Sequence, residues 1–256
     1  MRPGGGAGPV SPLESRNPTV KLLLVVAVSV VTLAVLDPAT LALLYLLGLA
    51  GARWGARVAP GRLLLAQVPF WTFGVGVLLV NALSRPGEVL VTGGPFRVTH
   101  EGLMVGAALA LRGCVIGVAT VAFLASTPPR DLMVSLVRHA RLSPRYAYAL
   151  LAGHRMLAGL PRQWATIRAA QLVRAPLGRR GQPREGWRGL GRSAFALLVA
   201  SIRASERVAL ALESRGLSAG PRTVWRPVPL GARDAALAGG VLGAVALVVA
   251  AGAGLA

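Results

Sequence analysis

The segment TVKLLLVVAVSVVTLAVL, Thr19 to Leu36, constrains this chain more than any other stretch. At 1.5 Å per residue its length approaches one bilayer crossing. Its many valines would favour a strand in water. In hydrocarbon, however, an open strand leaves its backbone polar groups unpaired, so the segment predicts a membrane helix. The Asp37-Pro38 pair ends it.

Comparable segments recur along the chain. ATLALLYLLGLAGA, Ala39 to Ala52, follows at once and is short for a full crossing. This implies a tight outside turn at Asp37-Pro38 and a tilted second helix, or a locally thinned bilayer. RWGARVAPGR, Arg53 to Arg62, reads as a short basic loop. A third span follows from Leu63 to Leu83, with Pro69, Gly74 and Gly76 inside it. Membrane helices tolerate such residues better than soluble ones. The next loop places VLVTGG ahead of PFRVT, the pattern of a short re-entrant or hairpin element. Gly102 to Ser126 is a fourth span. It contains Arg112, which is costly there unless it faces another helix or reaches a headgroup. A last apolar run extends from Ala235 to about Leu255.

Residues 1–18 place glycine and proline where a signal peptide would need an apolar run, and they read as a flexible lead. From Thr127 the character changes. Helical pieces punctuated by proline are followed by the Gly/Arg-rich loop GRRGQPREGWRGLGR and one more helix. The organisation expected is a lead at 1–18, a membrane domain of about four spans at 19–126, a cytoplasmic region at 127–233 and a final transmembrane helix at 234–256. The fold class is an all-α polytopic membrane protein with about five transmembrane helices and a basic helical insert before the last.

A formal charge of +19 raises the alternative of nucleic-acid binding, and placement decides the matter. Thr127 to Arg233 holds 19 arginines against four acidic residues. The short Arg53–Arg62 loop has three basic residues and no acid, while the loop from Ser84 to Glu101 has two of each sign. Basic and neutral loops alternate in register with five spans, as the positive-inside rule requires. The N-terminus and the insert then lie in the cytoplasm, and the C-terminus lies outside. Aromatics make up only 5% of residues, too few for a base-stacking surface.

Catalysis in this chain is also disfavoured. One cysteine, Cys114, excludes an internal disulfide and a cysteine-rich metal site, and His100, His139 and His154 lack zinc-binding spacing. No GxxxxGK[ST] phosphate-binding loop occurs, so any ATP is hydrolysed by another chain. No cofactor is expected.

Two helices in the insert end in arginine. SIRASERVALALESRG places Arg203 and Arg207 on one face and Glu206 and Glu213 on another, with Arg203 and Glu206 spaced to pair. Alanines at 200, 204, 209 and 211 leave room for a neighbouring helix. Arg215 sits in the last turn, and Gly216 takes the left-handed position that ends the helix. TIRAAQLVRAP ends likewise with Arg174, then Ala175 and Pro176, and Pro161 suits the first turn of that helix. The macrodipole alone explains a terminal arginine, but two such ends in one insert suggest two tips offered to a partner.

IRASERVALALESRGL resembles the signature of the transmembrane T component of energy-coupling factor transporters, with Leu212 at the position just before its glutamate. TIRAAQLVRAP is similar to the family's upstream arginine-glycine helix, with Ala175 in place of the usual glycine. NPTVKLLL is similar to its opening, and TPPRDLMVSLVRHARLSPRYAYAL to its proline-marked approach to the coupling region. The resemblance runs from about Asn17 to the end. It implies a scaffold that joins a small substrate-binding S component to two ABC-type ATPases for uptake of a vitamin or transition-metal ion. It also implies that Arg174 and Arg215, the latter beside Gly216, dock in the ATPases. Arg203, Glu206, Arg207, Glu213 and Ala175 then support the coupling helices. In the left-handed region Ala175 would cost about 1 kcal/mol or more. The alternative is a membrane scaffold with no ATPase partner.

Overall fold

A computed structural model describes residues 11–93, 96–175, 186–216 and 228–254. Its helices are α1 (Pro18–Ala34), α2 (Pro38–Ala50), α3 (Pro60–Ser84), α4 (His100–Ser126), α5 (Pro129–His139), α6 (Pro144–Val173), α7 (Trp187–Ser214) and α8 (Ala232–Ala253). Proline supplies the first residue of α1, α2, α3, α5 and α6. Its fixed φ suits a first turn, where the missing N–H is not needed. Asn17 and Asp37 cap α1 and α2, accepting hydrogen bonds from backbone N–H groups of the first turn.

The chain forms two compact units, one reaching Ser135 and resuming at Pro227, the other spanning Leu136–Arg226. In the first, α3 and α4 pack along their length, and α1, α2 and α8 join them. Small residues permit the α3–α4 approach. A Cβ on Gly106 would stand 2.9 Å from the carbonyl oxygen of Leu78, so only glycine fits without displacing backbone. The core gathers Val28, Leu41, Leu44, Tyr45, Val115 and Val118. Around it the surface is inverted relative to a protein in water. On α3, Gln67 is 1% exposed while Leu65 and Phe73 are 73% and 71% exposed. Apolar area outward on that scale needs an apolar surrounding.

α3, α4 and α8 are long and apolar enough to cross a membrane. α1 has 17 residues and falls just short of the crossing expected of it, whereas α2 with 13 is short as expected, and Asp37-Pro38 separates the two. Several expectations need correction. The basic stretch starting at Arg53 is not wholly a loop, because a π-helical turn, Gly51–Gly55, continues α2. Among the described residues the fold is all-α as expected, apart from one short hairpin in the loop before α4. Val89–Gly93 pairs antiparallel with Phe96–Thr99, a hairpin at the segment where a re-entrant or hairpin element was expected. Pro161 lies inside α6 rather than at a first turn. An internal proline costs about 3 kcal/mol, but the flanking Ala, Leu, Met, Arg and Gln are strong helix formers and carry the 30-residue helix through it.

Candidate coupling site

In the second unit α6 packs against α7. A stripe on α7 runs through Ser193, Leu197, Ala200, Ala204, Val208 and Leu212, all buried or half-buried, at the three-to-four-residue spacing of one helix face. Ala200 and Ala204 lie in this stripe as expected, whereas Ala209 and Ala211 are exposed. Towards its C-terminal end α7 meets the first half of α6. Val208 and Leu212 line a cleft of about 340 Å³ with Tyr148, Leu151, Ala152, Arg155 and Met156.

Arg215 is the exposed residue that closes α7. Its backbone N–H donates to the Ala211 carbonyl at 3.3 Å, and the Gly216 N–H donates to the Glu213 carbonyl at 2.8 Å. Gly216 has φ +77°, the left-handed value that turns the chain away from the helix and leaves the Arg215 side chain at its end. Arg174 closes α6 in the same sense and is also exposed, with its N–H donating to the Gln171 carbonyl. Ala175 does not adopt the strained conformation that would have penalised it. Among described non-glycine residues only Arg57 and Arg141 have positive φ. Instead, the Ala175 N–H closes a tight turn onto the Leu172 carbonyl at 3.1 Å.

The two tips stand apart. Leu212 in the cleft is within one helical turn of Arg215, but Met156 precedes Arg174 by a helix length of about 27 Å. Arg203, Glu206, Arg207 and Glu213 are exposed, and among the described residues no ion pair joins Arg203 to Glu206. In water such a pair is worth at most about 1 kcal/mol, too little to hold two long side chains in one geometry.

A buried polar cluster in the first unit was not identified from the sequence. Asn17 is 1% exposed and Ser135 is 0% exposed. The Ser135 hydroxyl donates to Asn17 Oδ1 at 2.7 Å, and the Asn17 N–H donates to Asp234 Oδ1 at 2.9 Å. Asn17 Nδ2 donates to the carbonyls of Val228 and Pro229 at 3.2 and 3.4 Å. Beside it Lys21, the only lysine of the chain, is buried. Its Nζ donates to the carbonyls of Leu13 and Ser126 at 3.1 and 2.8 Å and so caps the end of α4. The signal available in sequence was an asparagine before proline at the head of an apolar helix. Nothing local marked partners more than a hundred residues away.

Arg112 resolves similarly. Its Nη2 donates to the Val35 carbonyl at 2.9 Å, so it neutralises the C-terminal end of α1 from within α4. Among the described residues no group of three or more His, Cys, Asp or Glu could hold a metal ion.

The chain matches the family CbiQ, described as cobalt transport protein, over residues 9–224. It is 30% identical over 189 residues to the energy-coupling factor transporter transmembrane protein EcfT of Heliobacterium modesticaldum, covering 70% of this chain and 71% of that one. It is also 26% identical over 249 residues to a putative ABC transporter ATP-binding protein of Bifidobacterium longum. That match takes in 94% of this chain but 32% of the longer protein.

Proposed function

The chain belongs to the CbiQ family of cobalt transport proteins, and from that membership we propose how its two units work. It is the transmembrane coupling subunit of an energy-coupling-factor transporter, a non-catalytic chain linking ATPase to substrate uptake. In our reading, Arg174 and Arg215 each enter a groove on one of two ABC-type ATPase subunits. Gly216 sets the end of the second tip and Ala175 the end of the first. Arg203, Glu206, Arg207 and Glu213 form the polar surface through which α7 is held. A small membrane S component binds the vitamin or transition-metal ion.

One observation carries this reading. The two long helices of the second unit each end in an exposed arginine, and Arg174 lies about 27 Å along α6 from Met156, whose cleft α7 lines within a turn of Arg215. Two separate cationic tips suit two separate acceptor grooves. The Bifidobacterium longum relative, named for ATP binding, resembles nearly all of this chain within a third of its own length, which favours a working partnership with ATPases.

The topology follows from the same premises. α1 makes the first crossing. The second is α2 continued by its π-helical turn, 18 residues from Pro38 to Gly55 and about 27 Å long. With α3, α4 and α8 these make five. The N-terminus and the coupling region, residues 127–233, face the cytoplasm, and the helix in 234–256 leads outside. Gentle detergent extraction of the tagged chain from its own cell membrane, followed by mass spectrometry, tests the partnership. ABC-type ATPases and at least one small membrane protein are expected. Recovery of the chain alone, under conditions that preserve other transporter complexes, would reject the reading.

A further inference from the structure

The chain passes between the two units at two points, leaving the first unit after Ser135 and returning to it at Pro227. The Asn17 side chain touches both roots, while the Thr19 N–H and hydroxyl meet Ser135 at the exit alone. Asn17 Oδ1 accepts from the Ser135 hydroxyl at 2.7 Å, on the last residue before the exit. Asn17 Nδ2 donates to the carbonyls of Val228 and Pro229, among the first residues after the return. The Asn17 N–H adds a bond to Asp234 Oδ1, in the first turn of α8.

Capping α1 does not account for this. As a cap, Asn17 needs only its oxygen, which accepts from the Thr19 N–H at 2.9 Å, and Ser, Thr or Asp would serve as well. The two N–H donors of the amide are what an asparagine adds, and both are spent on carbonyls 211 and 212 residues away. Aspartate would offer no donor to those carbonyls and would face the Asp234 carboxylate. Serine would keep the cap but has a single short hydroxyl. The burial of Asn17 and Ser135 keeps water from substituting for the bonds.

We propose that Asn17 is a positioning residue that pins both roots of the second unit to one point of the membrane unit. Motion of the second unit then reaches the membrane helices as a lever about that point, rather than as slack in two separate links. The lever rests on the coupling role proposed above, whereas the pin itself does not require it.

The test uses Asn17→Ser, which preserves the cap and removes the ties. In the full chain, in lipid nanodiscs, hydrogen exchange is followed at Ser135–His139, at the hydrogen-bonded N–H groups of Gly231, Asp234 and Ala235 beside the return, and in the first turn of α1. Asn17→Ser should speed exchange by about tenfold at the return root and by less at the exit root, where Thr19 still holds Ser135, and leave the first turn of α1 near wild type. Wild-type exchange at the two roots would overturn the pin. In proteoliposomes with the ATPases and S component, uptake per ATP hydrolysed should fall about fivefold or more at matched ATPase recruitment. A short bismaleimide bridge between Ser135→Cys and Val228→Cys, on a Cys114→Ala background, should restore it. Uptake per ATP at the wild-type value in Asn17→Ser, or recruitment lost in the same proportion as uptake, would overturn the lever. Failure of the wild-type chain to recruit ATPases would strike the docking reading instead, and the nanodisc exchange would still decide the pin. Should Asn17→Ser not reach the membrane, Ser135→Ala deletes a single hydroxyl and gives the same readings at the exit root.

Discussion

Arginine 215 separates the coupling role from ordinary helix chemistry. In the isolated chain its side chain is exposed at the end of α7, and its backbone amide, not its guanidinium, closes the helix onto Ala211. Removing the side chain therefore costs the fold only its interaction with the macrodipole, about 0.3–1 kcal/mol. Membrane insertion and thermal stability of Arg215→Ala should stay near wild type. If the guanidinium is buried against carboxylates or carbonyls of an ATPase groove, the same truncation costs about 2–5 kcal/mol of binding, or roughly thirtyfold and more in affinity. Lysine should rescue poorly, since a point charge cannot reproduce a two-pronged contact. Arg174→Ala should act alike at the other subunit. Its tip lies about 27 Å along α6 from Met156, in the cleft within a turn of Arg215, so the two losses should add. ATPase co-purification and substrate uptake are measured at matched membrane levels of each variant. Expected is a graded loss in the single mutants and near-complete loss of both readouts in the double mutant. A double alanine mutant that keeps wild-type recruitment and uptake would refute the docking role of these arginines.

Three other expectations follow. Single cysteines on a Cys114→Ala background should react with an impermeant reagent from outside at Ser84 and only from inside at Ser218; the reverse at Ser218 would end the topology. Gly106→Ala puts a methyl against Leu78 backbone and should lower thermal stability in detergent by about 1–3 kcal/mol. Gly113→Ala, on the same helix with nothing within 4 Å, should be neutral or slightly stabilising, and equal effects would discount the close α3–α4 approach. The Thr40 hydroxyl and N–H, with a smaller part from the Ala39 N–H, hold the Asp37 carboxyl below its ordinary range. Its stabilisation of the α2 start is thus present above the ordinary carboxylate pKa and lost as pH falls through the lowered value. Asp37→Asn should keep the cap yet flatten this limb of the thermal-unfolding profile, and an unchanged acid limb would show that Asp37 contributes nothing to it.

The division between what sequence reveals and what folding decides is clear at particular residues. Apolar length alone marks α3, α4 and α8 as membrane helices, because hydrocarbon leaves a single backbone solution to an isolated apolar run. Asp37-Pro38 and Gly216 announce helix ends locally, since such signals depend on residues within one turn. The arginines that close α6 and α7 were likewise legible, as their place depends only on where each helix stops. Other features were not. Pro161 reads as a boundary by local rules, yet α6 continues through it. Lys21 gives no local sign of its partners, and folding turns it inward onto the last carbonyl of α4. Arg112 looks anomalous until α1 ends beside it. Asn17 caps α1, and its second role exists only because Ser135, Val228 and Pro229 come to it from 118, 211 and 212 residues away. Periodicity and capping are properties of neighbours along the chain. A buried hydrogen bond between distant segments is a property of the packed bundle, and no stretch of sequence contains it.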